Sequence, residues 1–201
     1  MKRNKVSACL GAALFTLNWC GQAVAQTEEW TNSYKSEAAG NYQQAAQQLE
    51  KLAASDKLSQ LRRSYLLYMQ GRYPDAVKGY QRALEMNPQS FDAVLGVSLV
   101  LLAQGRWSDA AAQANWVLQN APGNYVAQLR MLVAEQGQLK WNDVSKRAEE
   151  LVRRYPTDPT MWVYVARSAA GLGNKSRARE AYQRVIQLVP GHIEALKYIG
   201  G

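Results

Sequence analysis

Residues 57–90 read KLSQLRRSYLLYMQGRYPDAVKGYQRALEMNPQS. Leu58, Leu61, Tyr65, Leu66 and Met69 recur at helical spacing and predict one apolar helix face. Gly71-Arg72 ends that helix, because glycine accepts the backbone angles of a helix terminus. Tyr73-Pro74 opens a second helix, since proline suits a first turn. Ala76, Val77, Tyr80, Ala83, Leu84 and Met86 give its apolar stripe, and Asn87-Pro88 stops it. The result is an antiparallel helix hairpin with a short turn.

The same punctuation returns along the chain. Pro88, Pro122, Pro156 and Pro190 are each 34 residues apart. Gly71, Gly105 and Gly173 keep the beat, with Leu139 in the one slot that lacks glycine. Tyr73, Trp107 and Trp141 follow two residues later, and Ala76, Ala110 and Ala178 three beyond that, with Val144 filling in. A fixed period of this length means stacked copies of one small unit, each burying the face its neighbour exposes. The expected fold is all-α: a strand-free, right-handed superhelical solenoid of antiparallel helix pairs.

The repeats are expected at about 26–56, 57–90, 91–124, 125–158 and 159–192, with a partial final helix at 193–201. The first is short: Gly40-Asn41-Tyr42 lies 31 residues before Gly71, and no proline closes it. The fourth departs most. Leu139 replaces the turn glycine, Leu132 a small residue, and Glu135 stands where an apolar side chain should pack, so its first helix is expected to end early at Gly137. Ile193, Leu196 and Ile199 recur on one face, so 193–201 is expected to be helical only when docked, and this end is open to a partner or to self-association.

Trp162, Val165, Ala166, Gly173, Ala178, Tyr182, Val185 and Pro190 together resemble the tetratricopeptide repeat family, of the exported bacterial type. Lys175 departs from the aromatic expected after the glycine. The resemblance covers 26–201. It implies that the first helix of each pair lines a concave groove and the second forms a convex back. It places Tyr65, Tyr68, Leu95, Leu99, Leu102, Leu129, Arg130, Val133, Tyr164 and Arg167 on the groove, with Trp30, Tyr34, Arg62, Val126 and Lys197 on or beside it. Leu95, Leu99, Leu102, Leu129 and Val133 would form an apolar floor flanked by tyrosine and arginine. Such a surface suits an extended peptide or an amphipathic helix. Cytosolic family members that grip acidic C-terminal tails use a clamp of Lys, Asn and Arg. The corresponding positions here include Tyr65, Leu99 and Val133, which do not form one.

The start of the chain reads as an export signal. Lys2, Arg3 and Lys5 precede an apolar run from Val6 to Leu17, and Ala23-Val24-Ala25 has the small-x-small pattern of a signal-peptidase site. Residues 1–25 are therefore expected to be cleaved after Ala25, leaving a periplasmic or secreted protein. Trp19 is too large for the lipidation signal that Cys20 would otherwise suggest. Cys9 and Cys20 are the only two cysteines, so the mature chain has no disulfide and no thiol chemistry. The formal net charge is +8, but three of the 24 basic residues and none of the 16 acidic ones lie in the leader. What remains is a mild basic bias that fits a solvated surface.

Catalytic patterns are missing. His192 is the only histidine and reads as a helix-start residue. No cysteine, histidine or carboxylate cluster surrounds it in sequence, so no metal, cofactor or nucleophilic triad is expected. Each turn glycine is explained by a helix end rather than a phosphate loop. The cationic run through Lys175, Arg177, Arg179 and Arg184 reads as a polar convex face or a docking patch. Of the six tryptophans, Trp30 and Trp116 are the candidates for contacts outside the fold. These features describe a non-enzymatic envelope adaptor that holds a segment of a partner protein. The alternative is a scaffold of exopolysaccharide synthesis or export that contacts polysaccharide.

Overall fold

The computed structural model describes residues 28–200, and the regular structure among them is entirely helical. The expected leader lies outside the described residues. Helix α1 runs through residues 28–38, followed by α2 (Tyr42–Gln48), a 3-10 turn (Leu52–Ala54), α3 (Lys57–Met69) and α4 (Tyr73–Met86). Then come α5 (Phe91–Ala103), α6 (Trp107–Asn120), α7 (Tyr125–Gly137), α8 (Trp141–Arg154), α9 (Pro159–Gly171), α10 (Lys175–Leu188) and α11 (Ile193–Gly200). Two compact units divide after Gly96. The first has a core around Leu49 and Leu66, the second around Leu132, Met161 and Val165.

The first helices from α3 onward are each capped by a polar residue on the same beat. Asp56 accepts from the Ser59 backbone N–H at 2.7 Å, Asn124 from Ala127 at 2.9 Å, and Asp158 from Thr160 at 2.8 Å. The Ser90 hydroxyl accepts from Ala93 at 3.3 Å, and His192 Nδ1 from Ala195 at 3.3 Å. These caps satisfy backbone donors that the helix leaves unpaired. They also account for the lone histidine.

The hairpin turns need a left-handed residue. Gly71, Gly105 and Gly173 supply it at φ +74°, +69° and +78°, but Leu139 is forced to φ +58°. A Cβ there crowds the following carbonyl at a cost of about 1–2 kcal/mol, and the Leu139 side chain is exposed and gains little packing in return. Leu139→Gly is therefore expected to stabilise the protein by about 1 kcal/mol after the entropy of the unfolded glycine is offset. Urea unfolding checks this through a raised midpoint at unchanged slope. A lowered midpoint would refute it.

Small residues set the helix spacing. Ala76, Ala110, Ala178 and Val144 are fully buried. Ser33 and Ser98 donate across the hairpin to the Ala45 and Ala110 carbonyls at 2.9 and 3.0 Å. Trp107 lies flat against Gly137, and Trp141 against Gly171, where a Cβ would strike the indole ring.

Two expectations are corrected. Helix α7 does not end early: it has 13 residues, as do α3, α5 and α9, and Gly137 is its ordinary last residue. Leu132 is accommodated in the core, and Glu135 is buried against a cation, Arg147. Residues 193–200 are helical and docked on the chain's own second core, but not through the one apolar face expected. Ala195 is buried, and Tyr198 and Ile199 pack on the second core, while Ile193 is 83% exposed, so Ile193 and Ile199 do not share a buried face.

Candidate functional site

In residues 28–96 the first helices gather aromatic side chains into one cleft of about 480 Å³. Trp30 and Tyr34 come from α1, Leu58, Leu61, Arg62 and Tyr65 from α3, Tyr80 from α4 and Asp92 from the start of α5. The helical repeat explains the grouping. Trp30 and Tyr34 are one turn apart, as are Leu58 with Leu61 and Arg62, so each helix presents a single stripe. Tyr34 is 55% exposed and Leu58 65%. Two large side chains thus stand in water on one cleft.

The cleft's cation is spent on holding it together. The Arg62 guanidinium lies 3.5 Å from the centre of the Tyr34 ring and 5.9 Å from that of Trp30. It also donates to Glu37 at 2.6 Å and to Ser33 at 3.3 Å. These contacts fix the rings of α1 against α3. Tyr65, Tyr68 and Tyr73 continue as a ladder of rings 6.2 and 5.8 Å apart. Burial, with the Glu37 charge nearby, pushes the Tyr65 hydroxyl above its ordinary pKa.

The remaining sequence-expected positions fare differently. Tyr65 and Tyr68 are half-buried on α3. Leu95 and Leu102 belong to the interior, at 5% and 7% exposure, and offer no floor to a ligand. Leu99 is half-buried, and Leu129 and Val133 lie partly buried against the second core. Tyr164 is buried, which raises its pKa, with Arg167 and Arg130 opposing. Arg167 is not waiting for an acidic ligand: it donates to both carboxylate oxygens of Glu194 at 2.8 and 2.6 Å. Those bonds hold Glu194 below the usual carboxylate range against the opposing effect of burial. The expected apolar floor of Leu95, Leu99, Leu102, Leu129 and Val133 is thus corrected at Leu95 and Leu102, whose side chains the fold consumes. Leu58, Leu61, Tyr80 and Asp92 line the aromatic cleft and were missed. Leu58 reads as core by periodicity, and only its place at the first turn of α3 signals exposure.

Among the described residues no group of three or more histidine, cysteine or carboxylate side chains is placed to hold a metal ion. Nor is any helix among them long and apolar enough to cross a membrane.

Comparison with known proteins addresses the fold. The family model described as "Tetratricopeptide repeat" matches residues 37–78, 61–125 and 135–193. The chain belongs to the tetratricopeptide repeat family, and its fold is the helix-pair solenoid of that family. Proteins of this class are in general interaction scaffolds rather than enzymes. Among solved structures it is similar to MamA, residues 41 to the end, from Desulfovibrio magneticus RS-1. The TM-score is 0.70 at 18% identity, over 84% of this chain and 97% of that one. A tetratricopeptide repeat protein from Parabacteroides merdae ATCC 43184 gives a TM-score of 0.69 at 16% identity, over 79% of this chain and 63% of that one. MamA of AMB-1 gives 0.61 at 17% identity, over 88% and 98%. At these identities the likeness is one of fold. Comparison with the curated proteins finds no match.

Proposed function

We propose that this chain is a non-enzymatic adaptor of a bacterial cell envelope, exported and cleaved after Ala25, which holds a peptide or amphipathic helix of a partner protein on the aromatic cleft of α1 and α3. The observation that carries the reading is the exposure of Tyr34 and Leu58 beside Trp30, on rings already locked by Arg62. A rigid aromatic surface loses little entropy when a partner covers it, and each ligand side chain buried there contributes about 1.5–3 kcal/mol before ordering costs. The export leader supports the compartment. Stacked rings beside Asp92 also suit a sugar chain, which keeps the exopolysaccharide scaffold as the second reading.

Leu58→Glu tests both. Leu58 is largely in water, so its melting temperature is expected to stay close to that of the parent. Capture from envelope extract on the immobilised chain is expected to retain a protein that the variant retains at least about tenfold less, the equivalent of one lost apolar anchor. Retention of a glycan instead would favour the second reading. Equal retention of the same protein by both chains would remove the cleft from the function.

A further inference from the structure

A different cleft lies between α10 and α11, enclosing about 610 Å³ and lined by Lys175, Arg179, Tyr182, Glu194, Lys197 and Tyr198. Its one carboxylate is already satisfied. Arg167 donates twice to Glu194, and the Tyr182 hydroxyl donates to it at 2.6 Å. Its three cations are not. Arg177 pairs with Glu149 and Glu180, yet Lys175, Arg179 and Lys197 form no ion pair with a carboxylate among the described residues. Arg179 makes only a long hydrogen bond, 3.4 Å, to the Ile199 carbonyl. By contrast, the polar cleft at Glu50, Arg63, Arg82 and Glu85 has equal numbers of each sign.

The geometry is that of a receptor for anions. Lys175 and Arg179 are one turn apart on α10, and Lys197 faces them from α11. Three cations share the cleft with one carboxylate that Arg167 already neutralises, and an anionic ligand balances the excess positive charge. The floor is aromatic, with the Tyr198 and Tyr182 rings inclined at 38° and their centres 4.6 Å apart. Helix α11 also exposes Ile193 and Leu196. Aliphatic side chains offer a sugar no stacking face, whereas they bury the apolar side chains of a peptide.

We propose that this cleft docks an acidic peptide segment of a partner protein, its carboxylates held by Lys175, Arg179 and Lys197 and its apolar side chains laid on Tyr198 and the exposed aliphatic residues of α11. The site is independent of the aromatic cleft, so Leu58→Glu leaves it intact.

Fluorescence anisotropy on the full chain tests it with a labelled octapeptide of alternating glutamate and leucine. The same peptide with glutamine for glutamate, and an oligomer of uronic acid, serve as comparisons. The glutamate peptide is expected to bind, more weakly as salt rises. Arg179→Ala with Lys197→Ala should weaken it at least about tenfold, as loss of charge-assisted bonds requires. Lys197→Glu should do so with the fold unchanged by circular dichroism. No binding, equal binding of the glutamine peptide, indifference to the substitutions, or preference for the uronic acid oligomer would each overturn the proposal. So would self-association of the parent chain, measured by sedimentation, that the same substitutions abolish, because a second copy would then occupy the cleft.

Discussion

Arg147→Met is expected to destabilise the protein by about 2–3 kcal/mol, because it strands a buried carboxylate. Glu135 is almost wholly enclosed. Arg147 reaches it from α8 with Nε at 3.0 Å from Oε2 and Nη2 at 2.7 Å from Oε1, while Nη1 donates to Gln128 at 2.7 Å. Three bonds of one guanidinium thus tie two helices, α7 and α8. Arg147 keeps some contact with water, so the loss falls below that of a fully dry pair. The pair itself is worth little over an apolar substitute. In the slots 34 residues earlier stand Leu101 and Gln113. Glu135→Leu combined with Arg147→Gln is therefore expected to recover stability to within about 1 kcal/mol of the parent. Chemical denaturation of the three proteins checks this. A cost under about 0.5 kcal/mol for Arg147→Met would mean that water reaches the carboxylate and the pair is a surface one.

This pair shows what could and could not be read from residues alone. The helix pairs were legible because prolines, turn glycines and buried alanines recur on one beat, and each has a local mechanism that tolerates few substitutes. Glu135 was legible as an exception to an apolar slot. Its resolution was not, since Arg147 is an ordinary cation until the hairpin closes. The usable signal was that a carboxylate in an apolar slot calls for a cation in the slot twelve residues on, where the neighbouring repeats carry Gly79, Gln113 and Ala181.

The candidate site was legible in part. Trp30, Tyr34, Arg62 and Tyr65 were expected beside a groove and do line one cleft. Leu95 and Leu102 were expected there and are core. They stand seven residues apart, so they share a face of α5, and helical periodicity identifies that face without saying whether protein or water lies opposite it. Likewise Arg62 and Arg167 read as free cations, since their carboxylates, Glu37 and Glu194, lie 25 and 27 residues away. Lys175, Arg179 and Lys197, on α10 and α11, are among the cations that form no ion pair among the described residues.

The second large effect is expected at the hairpin turns. A methyl added at Gly137 would enter the Trp107 ring, and one at Gly171 the Trp141 ring. Neither ring can retreat without opening the interface it fills. Gly137→Leu is expected to cost about 2–3 kcal/mol, the range for overpacking a close contact, even though leucine favours a helix by nearly 1 kcal/mol over glycine. Gly171→Leu should behave alike. The sequence contains its own control. The slot that holds Trp107 and Trp141 holds Tyr73 one repeat earlier, and the residue thirty on is then Ala103 rather than glycine. In the sequence, tryptophan in this slot goes with glycine thirty residues on, and tyrosine with alanine. Gly137→Ala should therefore destabilise the parent by roughly 1–2 kcal/mol and cost much less in a Trp107→Tyr background, a coupling of about 1 kcal/mol between the two sites. Thermal and urea unfolding of the four proteins in that cycle measures it. Additive losses would show that Trp107 and Gly137 act independently, and that the glycine is kept for the helix end rather than for the ring.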